Sequence, residues 1–324
     1  MELGFVYTES CTNVQRAREV FREMRALGAD MVLICVYEQD LLRWKRDMAR
    51  LFDAAAEAGL RRYVSYGRQG NIFSGLLMMP SLFGFTHPET LIVTESSGVV
   101  AEAGSSFNRF WSQVCCANNP KFQNYMEEQT REILDRFNPE GLMFDEPKGL
   151  AFVCKCQYCQ SAQQAGEDPK AANLRGQVKF VEKLCDQAKA HRGDICTMIT
   201  TGHTEDAALQ QFAAVSNLDV LGTEAYWVSR GMTIDELRAW CIPALEKLRS
   251  YGKKTQIWTQ NFGLPPSETE NLHEAYSIMA EGKPDQLISF WWWRENEEAE
   301  RVMEISGQSM KRLAKEQRST HALS

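Results

Sequence analysis

The chain has 324 residues, 44% of them hydrophobic and 24% charged, which is ample for one large core or two smaller ones. Its formal net charge of −7 and lack of any Lys/Arg run exclude nucleic acid and anionic membranes as expected partners, because both demand concentrated positive charge. A neutral or weakly polar small molecule fits better. Met1 and Glu2 lead straight into the apolar run Leu3 to Tyr7. A secretory leader would open with basic residues and continue into a longer apolar stretch. Nothing approaches the ~18 apolar residues of a membrane span, so the expected setting is the cytoplasm. In that reducing compartment ten cysteines read as metal ligands or buried thiols, not disulfides, with Cys11, Cys35, Cys185, Cys196 and Cys241 as the scattered, buried kind.

In chain order, short runs rich in β-branched and aromatic residues alternate with longer stretches of helical periodicity. Strands are expected near Leu3 to Thr8, Asp30 to Tyr37, Arg61 to Tyr66, Gly141 to Glu146, Ile195 to Thr201, Leu218 to Trp227, Thr255 to Gln260 and Gln286 to Trp293. Helix starts agree with this register: Thr12 with Gln15, Thr233 with Glu236 and Ser267 with Glu270 each place a hydroxyl at a cap and an acceptor three residues on. Phe122, Met126, Ile133 and Phe137 share one helical face, and Pro120 suits a first helical position. Eight such units predict an α/β fold, a (β/α)8 TIM barrel occupying residues 1–324 as one domain. The competing doubly wound sheet would carry a glycine-rich turn after its first strand, where Thr8-Glu9-Ser10-Cys11 stands instead. The irregular part is an insertion over 67–119, longer than a connection requires, within which Thr90 to Val93 and Gly98 to Ala101 suggest a small hairpin.

Cys154, Cys156 and Cys159 put three thiols just beyond the fourth strand, a density suited to a tetrahedral zinc site whose fourth ligand would be Cys115 or Cys116. Asp145 and Glu146 close strand four, and Glu224 lies near the end of strand six beside Tyr226 and Trp227. Carboxylates on a barrel's C-terminal rim are costly unless paired or used, and glycosidases need two of them. Aromatic and polar side chains at the strand ends suit sugar rings, whose C–H faces pack on indole and whose hydroxyls need fixed partners. The expected lining is Tyr7, Glu38, Arg68, His203, Tyr226, Trp227, Trp258, Gln260, Trp291, Trp293 and Arg294. Strand alternation turns Trp292 opposite to Trp291 and Trp293, so at least one of the three belongs to packing.

The cysteine loop resembles that of family 42 β-galactosidases and of a wider group of barrel glycoside hydrolases, which pair Cys-x-Cys-x-x-Cys after strand four with an upstream Cys-x-Asn-x-Pro. Cys116-Ala117-Asn118-Asn119-Pro120 matches the upstream stretch. The resemblance therefore implies Cys116 as fourth ligand, a structural zinc (Zn) held by four cysteines, and a carbohydrate substrate. It also implies Glu146 as acid/base, although Asp145 replaces the family's Asn. The family's nucleophilic Glu at the end of strand seven has no counterpart in Ile257 to Phe262. Either Glu224 takes that role, or, as in barrels related to α-galactosidases, Asp145 attacks and Glu224 protonates. The expected function is a glycoside hydrolase using Asp145, Glu146 and Glu224. The other readings are a metal-dependent sugar isomerase, epimerase or lyase, with Glu9, Glu38 and the same carboxylates as ligands, and a non-catalytic carbohydrate-binding barrel. Association into a homo-oligomer is left open.

Overall fold

Eight strands, β1 (Glu2–Tyr7), β2 (Met31–Tyr37), β3 (Arg61–Gly67), β4 (Gly141–Asp145), β5 (Cys196–Thr200), β6 (Val220–Ala225), β7 (Lys254–Thr259) and β8 (Gln286–Phe290), form a closed barrel. Each pairs in parallel with the next, and β8 pairs with β1. The computed structural model describes residues 1–8, 13–74, 81–94, 114–202, 206–291 and 296–321. Helices Val14–Ala26, Lys45–Glu57, Pro120–Phe137, Pro169–His191, Asp206–Ala213, Ile234–Ser250, Leu272–Glu281 and Ala299–His321 follow the eight strands in order. Strands enclosed on both faces read as nearly continuous apolar runs, as Met31–Tyr37 does.

Alternation along the strands divides the core in two. Val6, Leu33, Tyr63, Met143, Met198, Trp258 and Phe290 fill the barrel. Phe5, Ile34, Val64, Phe144 and Leu221 face the helices. Asp145 continues the inward series of Met143, and Glu224 that of Val220, so both reach the C-terminal mouth from inside. Burying a side chain of this size is worth ~1.5–3 kcal/mol, and the two packed layers hold the strand ends rigidly enough to position a site.

Boundaries differ from expectation where local bonding ends pairing early. β6 stops at Ala225 because Trp227 N–H turns back to Ala225 O at 3.2 Å, and β8 ends at Phe290. The capping box forms at Thr233, which accepts from Glu236 N–H while the Glu236 carboxylate accepts from Thr233 N–H at 2.7 Å. None forms at Ser267. Pro266 takes the first helical position there, Ser267 lies within the turn, and Glu270 pairs with Arg301. Thr12 lies outside the described residues, and Asn13 caps the first helix by accepting from Arg16 N–H. Of the expected hairpin, Gly98 to Ala101 falls outside the described residues, while Leu91 forms an antiparallel bridge with Cys115.

The described part of the insertion is bonded firmly to the barrel. Glu38 accepts hydrogen bonds from Gly70 N–H (2.8 Å), Ser81 Oγ (2.7 Å) and Phe83 N–H (3.0 Å). Cys115 N–H donates to Gly70 O, Cys116 N–H to Thr90 O, and Lys155 N–H to Val93 O. These bonds hold Cys116 against the loop that follows β4.

Candidate active site

Asp145, Glu146 and Glu224 converge at the barrel mouth, with one carboxylate oxygen from each lying within 4.8 Å of the others. Asp145 and Glu224 arrive by strand alternation. Glu146 arrives by a backbone exception: its φ of 35° lies in the left-handed region, which a residue with a Cβ adopts only at a cost. Glu146 N–H donating to Thr200 O at 2.8 Å and Ser74 N–H donating to Asp145 O at 2.7 Å hold the turn. Gly202, just beyond β5, makes room for the cluster. A Cβ there would sit 2.8 Å from Glu146 Oε1 and 3.1 Å from Glu224 Oε2.

Three carboxylates this close cannot share the same charge state. Burial pushes Asp145 up to about 7, reinforced by the neighbouring Glu146 and opposed by Lys148 and Arg68. Burial also drives Glu224 well above the usual carboxylate range, with Glu146 and Asp145 adding to the effect. For Glu146 burial pulls upward too, but the charge and hydrogen bond of Lys148, with bonds to Glu224 and Ser74, outweigh it and hold the carboxyl low. Burial therefore favours the protonated form of Glu224 and Asp145, while Lys148 favours the charged form of Glu146. Arg68, buried beside Tyr37, Asp145 and Glu146, and Arg230, beside Glu224 and packed over Trp240 at 4.4 Å, complete the charge balance.

The expected lining separates into groups. Tyr226 lies against the carboxylates and meets Phe262 edge-on at 5.1 Å. Trp258 lies within the barrel beside Phe290, its indole N–H donating to Gln256 Oε1 at 2.7 Å. The structure places five others elsewhere. Tyr7 and Trp291 lie on the outward parity of their strands, Tyr7 against Phe21 and Trp291 edge-on to Phe5. Trp227 is fully buried in the outer layer, donating to Glu268. Glu38 anchors the insertion, and Gln260 holds the loop after β6 through Ser229 while its amide also donates to Phe262 O in the loop after β7. His203, Trp293 and Arg294 lie outside the described residues, as do Glu9 and Trp292. Sequence reasoning missed Lys148, Gly202 and Arg230. The one signal was the Glu146-Pro147-Lys148 spacing, which sets a cation two residues beyond a rim acid.

Beside this mouth, Cys116, Cys154, Cys156 and Cys159 bring their four sulfurs within 4.8 Å of one another. Cys116 Sγ lies 3.3 Å from Cys159 Sγ and 3.6 Å from Cys156 Sγ, and no disulfide forms among the described cysteines. Metal–sulfur bonds of about 2.3 Å in a tetrahedron set the sulfurs roughly 3.8 Å apart, so the set fits a four-coordinate metal after small adjustments. Val93 N–H donates to Cys154 Sγ at 3.4 Å and Asn118 Nδ2 to Cys159 Sγ at 3.3 Å, the outer bonds that orient thiolate ligands. Cys115 faces away toward Thr90 Oγ1.

No protein-family model and no curated protein sequence matches the chain. Solved structures do match. The β-galactosidase of the Antarctic haloarchaeon Halorubrum lacusprofundi superposes with a TM-score of 0.69 at 14% identity, covering 97% of this chain and 58% of that one. The β-galactosidase of Rahnella sp. R3 gives 0.70 at 12% identity, covering 97% and 56%. The endo-1,4-β-mannanase of Rhizomucor miehei gives 0.61 at 10% identity, covering 97% and 95%. The chain thus spans little more than half of each β-galactosidase and nearly all of the mannanase. It shares with them the (β/α)8 barrel.

Proposed function

We propose that the chain is a glycoside hydrolase acting on a small glycoside or oligosaccharide, with Glu224 as acid/base and Glu146 as nucleophile. The carboxylate trio at the mouth of a barrel shared with β-galactosidases and a mannanase carries this reading. Retaining glycosidases set their carboxyl groups about 5–5.5 Å apart, and inverting ones roughly 6.5 Å or more; a cluster within 4.8 Å favours retention. Glu146, ionised beside Lys148, attacks the sugar carbon as Glu224 gives its proton to the departing oxygen. Water then releases the sugar from Glu146, returning a proton to Glu224. This assignment reverses the first role set left open by the sequence and keeps Glu224 as proton donor from the second, with Glu146 in place of Asp145 as nucleophile; burial of Glu224 and the Lys148 ion pair at Glu146 support it. Asp145, with Arg68, holds the pair in register.

The expected experiment replaces Glu146 and Glu224 by Gln one at a time. Each variant cuts glycoside turnover by ~100-fold or more with the fold intact by circular dichroism. Near-normal turnover in both rejects the assignment.

The four cysteines hold zinc in this reading. With all four positions taken by thiolates the metal carries no open site for water, so it clamps the insertion to the β4 loop and performs no chemistry. The same three carboxylates also satisfy the geometry of a divalent-cation site, which keeps a metal-dependent sugar isomerase or lyase as the second reading. Activity lost on dialysis against EDTA and restored by Mg²⁺ or Mn²⁺ would favour it. The ion pair of Lys148 with Glu146 favours the hydrolase, since a cation already occupies that carboxylate.

A further inference from the structure

A cavity of about 480 Å³ opens from the carboxylate cluster toward the outside of the barrel, sharing Glu146 and Gly202 with it. It runs between the turn Lys148–Ala151, the first turn of the helix Pro169–His191 and the helix Asp206–Ala213. Its size falls in the usual range for a small-molecule pocket, roughly 300–1,000 Å³. Glu146 Oε1 and Glu224 Oε2 both approach the space over Gly202, so an oxygen taking the Glu224 proton lies against Gly202. Whatever that oxygen carries has this cavity before it.

The walls define what fits. Pro147, Leu150, Ala171, Leu174 and Ala208 present apolar surface. Glu146, Lys148, Asp168, Lys170, Asn173 and Gln211 are its polar liners; Glu146 and Lys148 pair with each other, and two more serve the fold. Asn173 directs its amide N–H to Gly149 O at 2.9 Å, and Asp168 caps its helix by accepting from Ala171 N–H. No aromatic side chain lines the cavity among the described residues. A second sugar ring placed here would find no stacking platform and, beyond Lys170 and Gln211, few partners for its hydroxyls, and each hydroxyl buried without a partner costs about 1–3 kcal/mol. An aryl or branched alkyl group meets no such cost.

We infer that this cavity receives the leaving group and selects glycosides with a small apolar aglycone over oligosaccharides. The inference rests on the glycosidase reading and narrows its substrate class. The wild-type chain, with its metal, is compared on a phenyl glycoside and a disaccharide of the same sugar. Ala171→Trp and Ala207→Trp, which fill the cavity from two different helices, are then compared with it. The expected result is a wild-type preference for the phenyl glycoside in kcat/KM. Both variants lose at least ten-fold on that substrate while the inhibition constant of the free sugar stays unchanged. Equal turnover of the phenyl glycoside by wild type and variants, or a wild-type preference for the disaccharide, overturns the inference and leaves the glycosidase reading standing.

If wild type turns over no glycoside at all, the glycosidase reading fails. The cavity is then judged by titration with non-hydrolysable phenyl 1-thioglycosides. Binding weakened at least ten-fold in both Trp variants upholds an apolar-group pocket, and unchanged or absent binding overturns it.

Discussion

Two knots of like groups lie on either side of the β4 loop, and they are stabilised in different ways. Three carboxylates meet at the barrel mouth and four thiols meet behind it, each set within 4.8 Å. The carboxylates are balanced from inside the protein: Lys148, Arg68 and Arg230 stand around them, and burial drives the Glu224 carboxyl upward. The donors that reach the sulfurs are the neutral Val93 N–H and Asn118 amide. Four thiolates this close repel one another, and no cationic side chain is seen to donate to them among the described residues, so an added cation is what would let them ionise together. A self-balanced cluster has protons to move. The cysteine cluster, in the proposed reading, takes an ion and becomes a clamp.

The largest expected break in this contrast comes from removing the metal. Elemental analysis of the purified chain should find about one zinc atom per molecule. Chelation, or Cys116→Ser, should lower Tm by roughly 10 °C, equivalent to about 7 kcal/mol in a chain of this size. A metal-free protein with an unchanged calorimetric transition would separate the thiols from any clamping role.

The internal cation is tested next. Lys148→Met removes the charge that opposes the burial of Glu146, so its carboxyl rises. Turnover at neutral pH should fall about ten-fold, and the acid limb of the pH–rate profile should move to higher pH. An unmoved acid limb would detach Lys148 from Glu146.

The smallest effect is on stability against pH. Asp145 and Glu224 are raised in the folded chain, so their contribution is complete below the ordinary carboxylate range and is lost as pH rises through their folded values, about 7 for Asp145. Tm should therefore decline between about pH 5 and pH 8, and Asp145→Asn should flatten part of that decline. Calorimetric scans of both proteins across this window measure it; identical slopes would contradict the raised Asp145.

The barrel was legible because eight apolar runs alternating with helical stretches leave few other solutions even with the long insertion, and Pro120 took the first helical position and Thr233 the cap as residue chemistry dictates. Cys116 was legible through the Cys-x-Asn-x-Pro stretch, whose Asn118 turns out to bond Cys159. The lining was less so. Proximity to a strand end is visible in the sequence, but it does not by itself put a side chain in the mouth: Tyr7, Trp227 and Trp291 sit on the outward parity, against helices. Glu38 and Gln260 are consumed by loops whose course depends on contacts distant in sequence. Gly202 and Arg230 carry no local signature, since their importance comes from what folds against them.

Proton delivery from Glu224 to the leaving oxygen should show in how turnover depends on the leaving group. In Glu224→Gln, turnover of an alkyl glycoside should fall by ~100-fold or more. A 2,4-dinitrophenyl glycoside, whose leaving group departs without a proton, should still form the glycosyl intermediate at close to the wild-type burst rate. Equal losses on both substrates would contradict the account.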